Sequence, residues 1–292
     1  MNFSFFVLFL IFSVVAFISD QNLFAADWSD TSIGDRYGAT YREPTIAKDI
    51  KKNIVSLKHA SGYKYGSNFF NVDLLSSNAD DPANGGGGGA LGIYLVYQHT
   101  FSGKAFGAPF QAGIVRDLGL AAGFDFGAKD DAFSSRVMKF AIGPKISFEV
   151  PGFLDLALVY LMEHNHNSFA ANFPTTESRA HGSGDVKFSP TLALQLAWGI
   201  PFELGLPWKF QGFMNYVGAK GKDGNGVQTK PETLLEAALM LDLGQAIAAH
   251  KGTVYLGPQY QYWKNKFGND SSLDSSGGCI AKVWQASMEV HF

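Results

Sequence analysis

Along this chain of 292 residues, segments of about ten residues in which every second side chain is apolar recur as far as the C-terminus. Residues 136–150 set Met138, Phe140, Ile142, Ile146 and Phe148 on one face and Lys139, Ala141, Gly143, Lys145, Ser147 and Glu149 on the other. A helical twist would mix these two sets, whereas a strand keeps them apart. Residues 153–164 repeat the pattern, with Leu154, Leu156, Leu158, Tyr160 and Met162 opposite Asp155, Ala157 and Glu163. The intervening Pro151-Gly152 pair is turn chemistry, so the two segments form a hairpin.

The same sorting holds at residues 115–126, 188–198 and 233–243. It also holds in the last segment, where Trp284, Ala286, Met288, Val290 and Phe292 oppose Gln285, Ser287, Glu289 and His291. At 233–243 a helix competes, because residues 232–249 are rich in Leu and Ala. Weaker versions lie at 54–60, 69–75, 91–101, 208–216 and 254–263, and a first strand is expected over 31–42. The total is about twelve strands, an even number of the kind single-chain bacterial barrels use.

Where such strands belong follows from the N-terminus and the composition. Residues 3–18 are an apolar run followed by a polar patch and Ala25-Ala26, the pattern of a cleavable secretory leader ending at residue 26. Past it, no stretch of about 18 apolar residues exists to serve as a transmembrane helix. Residues 27–292 are expected to be one domain, an all-β transmembrane antiparallel barrel in the outer membrane. Lipid offers backbone amides no partner, so only a closed ring of strands leaves none unsatisfied. Aromatic residues are 14% and charged residues 17%, the latter below the roughly 25% of soluble domains. A mean hydropathy of +0.01 suits a chain with half its side chains in oil and half in water.

Connection lengths support the barrel independently. Counting back from a periplasmic C-terminus, the connections at 77–89, 128–135, 165–185, 219–230 and 264–278 fall outside and are long and polar. Those at 61–65, 151–152, 200–207 and 244–251 fall inside and are mostly shorter, the asymmetry of an outer-membrane barrel. Trp198 and Trp208 flank an inner turn and Trp263 and Trp284 the last outer loop, where interfacial girdles are expected.

Other functions find little support. A net charge of −3 gives no basic footprint for nucleic acid, and a single cysteine, Cys279, excludes an internal disulfide framework. The glycines at 85–89 lack the Gly-Lys-Ser/Thr sequence of a phosphate loop and are expected to be an outer loop. His164 and His166 have no third metal ligand in view. His59 beside Ser61 is the nearest approach to a hydrolase pair, and no nucleophile motif accompanies it. No catalysis, cofactor or metal is expected.

If the oily face meets lipid, the other face lines a bore. It collects Arg36, Arg42, Lys58, Asn71, Asp73, Tyr94, Asp117, Lys139, Lys145, Glu163, Gln211, Phe213, Asn215, Tyr255, Gln259, Gln261, Trp263 and Glu289 as candidate solute-binding residues. About twelve strands leave a bore between that of the self-filled small barrels and that of the wide porins. Charges of both signs, amides and aromatics suit an uncharged polar solute with a flat apolar face. The competing reading is that these charges pair across the lumen and plug it, making the chain a structural or adhesive barrel.

Several stretches also resemble a known family. They are residues 28–34 (Trp-Ser-Asp-Thr-Ser-Ile-Gly), Arg36-Tyr37-Gly38, Arg42-Glu43-Pro44, the run from His59 to Leu75, and the run from Gln259 to Gly268. Together these resemble the Tsx-like nucleoside-specific channel family, over most of the mature chain. The resemblance implies a monomeric twelve-stranded barrel of the Gram-negative outer membrane that passes nucleosides by facilitated diffusion. It further implies that bore aromatics sandwich the base, for which Tyr94, Phe213, Tyr255 and Trp263 are the candidates. Stacking a base on an aromatic ring stabilises it by roughly 1–3 kcal/mol.

Overall fold

The computed structural model of the chain describes residues 26–84, 87–130, 135–166, 184–247 and 250–292. The expected leader lies outside these except for Ala26, as do Gly85, Gly86, residues 131–134, most of the connection at 165–185, and residues 248–249. The described residues form β1 (Trp28–Tyr41), β2 (Ile50–Tyr63), β3 (Gly66–Ser77), β4 (Leu91–Ser102), β5 (Val115–Asp130), β6 (Arg136–Phe148), β7 (Phe153–His166), β8 (Asp185–Lys187), β9 (Thr191–Leu204), β10 (Leu206–Val217), β11 (Glu232–Asp242), β12 (Val254–Lys264) and β13 (Ile280–His291). β8 pairs with the outer end of β7 alone. The other twelve close into one antiparallel ring, β6 joining β7 and the terminal β13 joining β1.

Closure satisfies the strand backbones without solvent, which is the condition for crossing lipid. Burial then divides the faces. Along β13, Ala281, Val283, Gln285, Ser287 and Glu289 are buried, while Lys282, Trp284, Ala286, Met288 and Val290 are exposed. The exposed column of β7, from Leu158 to Tyr160 and Met162, continues across the ladder to Leu192 and Leu194 on β9 and to Phe140 and Ile142 on β6. Apolar side chains facing outward around a closed ring make this a membrane-spanning barrel of the outer-membrane type, its longest connections falling at the outer end.

The strands run beyond the segments expected from alternation, because that signal covers only the stretch that must meet hydrocarbon. The segment with a competing helix is strand β11, followed by a helical turn at Leu243–Ala246. β1 is a wall strand, hydrogen-bonded on both sides. β9 and β10 approach until Gly205 alone joins them, with the positive φ of 69° that glycine adopts freely. The inner turn is therefore much tighter than the expected 200–207. Two inner connections are long, at 103–114 and 243–253, and each contains a helical turn.

The aromatic girdle needs one correction. Trp284 is 69% exposed and packs on Tyr260 at 4.9 Å, as a belt residue should. Trp263 flanks the same loop but, as its place among the bore candidates requires, points inward, where its indole N–H donates to Glu232 at 2.6 Å. Trp198 faces outward yet is 6% exposed, covered by Phe210 at 5.5 Å. Its ring also lies over Gly212, where any Cβ would collide with it.

Candidate lumen site

Seventeen of the eighteen candidate residues lie on the inward column of their strands. Arg36, Lys58, Asn71, Asp73 and Tyr94 come from β1 to β4, and Asp117, Lys139, Lys145 and Glu163 from β5 to β7. Gln211, Phe213 and Asn215 lie on β10, Tyr255, Gln259, Gln261 and Trp263 on β12, and Glu289 on β13. Arg42 does not join them. A bulge between Gly38 and Tyr41 shifts the alternation by one residue and turns Tyr41 inward, with its hydroxyl donating to Gln285 at 2.7 Å. Arg42 then falls past the strand end and pairs with Asp49 at 2.8 Å.

The inward groups are gathered into three networks. In the first, Asp73 accepts from the Arg36 guanidinium, from Ser56 at 2.7 Å and from Asn71 at 3.0 Å. In the second, Glu289 pairs with Lys58 at 2.6 Å and accepts from Gln211 at 3.0 Å. In the third, Glu236 takes the amides of Gln259 at 2.7 Å and Gln261 at 2.6 Å. Tyr94 donates to Asp125 at 3.0 Å, and Lys145 pairs with Asp155 at 2.9 Å. Asp117 serves the inner end instead, accepting from the Gly103 backbone at 3.3 Å.

Two contacts cross open angles of the ring. Gln98 on β4 donates to Gln195 on β9 at 3.2 Å, and the Gln211–Glu289 contact joins β10 to β13. The bore is thus narrowed by side chains rather than by backbone. Elsewhere on the inward face, Ala121, Ala157, Val159, Leu161 and Ala193 of β5, β7 and β9 form a buried apolar cluster. Beside Asp73, the Arg36 Nε–H and the Asn71 Oδ1 are buried without a partner among the described residues, and so is the Gln285 amide nitrogen. An orphaned buried polar group costs about 1–3 kcal/mol, which a polar occupant would offset.

The aromatic candidates stand at different heights. Trp263 lies at the outer end of β12, and Tyr94 lies a few residues inside the outer end of β4. Phe213 is midway along β10 beside Glu236, and Tyr255 is at the inner end of β12. Lys209 lies over the Tyr255 ring at 5.3 Å, and His291 meets its edge at 5.1 Å.

The outer mouth holds residues that alternation could not reveal. Glu43 follows β1, Asp81 follows β3 and Lys266 follows β12, and all three fold over the lumen as buried groups. Glu43 receives Lys52 at 2.7 Å and Lys266 at 3.1 Å. Burial alone would raise the Glu43 carboxyl, but the ammonium groups of Lys266, Lys52 and Lys129 outweigh it and hold the carboxyl well below its usual range. Burial pushes Lys266 down to about 8 even with Glu43 beside it. Lys52 and Lys129 had a sequence signal, since they continue the inward columns of β2 and β5 beyond the segments at 54–60 and 115–126. Beneath the cluster, Tyr41, Ile50, Ile54, Ala281 and Val283 form a buried apolar layer. His166, set aside as a metal ligand, bonds Asp185 at 2.7 Å, and no metal-holding cluster occurs among the described residues.

No family model matches the sequence, and no curated protein matches it. Among solved structures, the chain is similar to the translocator domain of the autotransporter NalP from Neisseria meningitidis, at 11% identity and a TM-score of 0.47, over 96% of this chain and 93% of that one. It is also similar to the KdgM porin, at 7% identity and a TM-score of 0.41, over 89% of this chain and 99% of that one. OccK5 from Pseudomonas aeruginosa is similar at 11% identity and a TM-score of 0.27, over 91% of this chain and 98% of that one.

Proposed function

We infer that this barrel is a passive channel, acting as a monomer, that passes nucleosides and similar small polar solutes through weak sites in a narrow bore. The observation that carries the reading is the set of inward aromatics at different heights, Trp263 and Tyr255 on β12, Tyr94 on β4 and Phe213 on β10, among amides and paired charges. A flat base can move between such rings while its sugar exchanges hydrogen bonds with amides and carboxylates. Stacking tolerates any base, so weak sites of this kind pass a class of solutes rather than one compound. The orphaned groups at Arg36, Asn71 and Gln285 offer two donors and one acceptor to an uncharged polar solute. The pairs Arg36–Asp73, Lys58–Glu289 and Lys145–Asp155 neutralise the charges within them, which favours neutral cargo there.

A second reading, a structural or adhesive barrel with a plugged lumen, is favoured by the Gln98–Gln195 bridge across the bore. Uptake of labelled nucleosides, measured against sugars of similar size in cells with and without this protein, separates the two. A channel of the proposed kind raises nucleoside uptake several-fold more than sugar uptake. Equal stimulation of both would remove the nucleoside assignment, and stimulation of neither would favour the plug.

A further inference from the structure

At the outer mouth, charges from widely separated parts of the ring meet in one cluster. Glu43 comes from the β1–β2 connection and Asp81 from the β3–β4 connection, while Lys52 lies on β2, Lys129 on β5 and Lys266 past β12. Lys52 is shared by both carboxylates, at 2.7 Å from Glu43 and 3.5 Å from Asp81. Lys266 holds Glu43 at 3.1 Å and donates to the Arg42 carbonyl at 2.7 Å. Lys129 is left with 3.9 Å to each carboxylate, the outer limit of ion pairing. Three ammonium groups therefore share two carboxylates, and the cluster is one anion short among the described residues.

The shortfall sits at the one accessible member. The side chains of Glu43, Lys52, Asp81 and Lys266 are 2–7% exposed, whereas that of Lys129 is 30% exposed. The same loops carry the strain. All three described non-glycine residues with positive φ, Thr45 at 69°, Asn265 at 52° and Phe267 at 61°, lie in the two connections that supply Glu43 and Lys266. Backbone held in such conformations collects where the surrounding structure fixes a site.

We propose that the outer mouth is a binding site for small monoanions, in which a carboxylate oxygen of the ligand takes the Lys129 ammonium as its short partner. The ligand supplies the third negative charge, beside Glu43 and Asp81. The site differs from the bore sites in both place and charge preference, and it holds whether or not solutes pass beneath it.

Acetate and acetamide have the same size and shape and differ in charge, so the full chain in detergent micelles can be titrated with each at fixed ionic strength and followed by saturation-transfer NMR. The native protein is expected to bind acetate about tenfold more tightly than acetamide, the scale of one charge-assisted hydrogen bond. Lys129→Gln should lose that preference and Lys129→Arg should keep it. Lys48→Gln, an exposed lysine paired with Asp80, should bind as the native protein does. Each variant is checked for the heat-dependent electrophoretic shift of a folded barrel, and Lys129→Arg supplies the answer where Lys129→Gln misfolds. Equal binding of acetate and acetamide by the native protein overturns the proposal. So does an undiminished preference in folded Lys129→Gln, or a loss in Lys48→Gln that would reduce the effect to general surface charge.

Discussion

Leu158→Arg should lower the unfolding free energy of this barrel in lipid vesicles by about 2–4 kcal/mol, the cost of a cation on the lipid face near mid-depth. Leu158 is 46% exposed at the middle of β7, flanked on its column by Leu156 and Tyr160 and across the ladder by Leu194. Its surroundings offer no counter-charge, and in hydrocarbon the guanidinium has no water. Leu273→Arg is the matched control. Leu273 is 77% exposed in the outer connection before β13, where an added charge remains in water and should change stability by no more than about 0.5 kcal/mol. Denaturant titration of both variants in the same vesicles gives the comparison. Equal effects would mean that the apolar belt does not face lipid.

The second large effect lies inside the ring. Glu289→Ala leaves Lys58 and Gln211 without the carboxylate that both contact, and it also removes a partner of His291 at 3.4 Å. Breaking a buried pair from one side costs about 3–5 kcal/mol, and the lower end applies because the Lys58 side chain is 32% exposed and partly screened by water. Glu289→Gln keeps a hydrogen-bonding group of the same shape and should lose less. Unfolding midpoints in one detergent rank the two variants, and an alanine variant as stable as the native protein would show that the network does not hold β13 to β2 and β10.

The strands were legible because half of their positions are not free to vary. Lipid forces every second residue of 136–150 and 153–164 to be apolar, and the bore lets the others be polar, so composition at one position predicts the direction of the next. That logic fails wherever the register is not uniform. It counts straight through Gly38 to Arg42 and misses the bulge that hands the inward position to Tyr41. Nearness to a loop end would put Trp263 in the girdle, whereas alternation along 254–263 puts it in the bore, and the indole on Glu232 follows the alternation. It has no purchase on Glu43, Asp81 or Lys266, which reach the mouth through connections with no period. The short β8 carries too few residues to alternate at all. The inward set could be named residue by residue, whereas its networks depend on which strands face each other, and a sequence without pairings does not state that.

Single-channel recording of the purified chain in a planar bilayer tests the central claim most directly. The account predicts discrete ohmic steps, small for the ring size because the Gln98–Gln195 bridge narrows the bore, that shrink when a nucleoside is added and not when a sugar of similar size is added. A folded, inserted barrel that carries no current would contradict it.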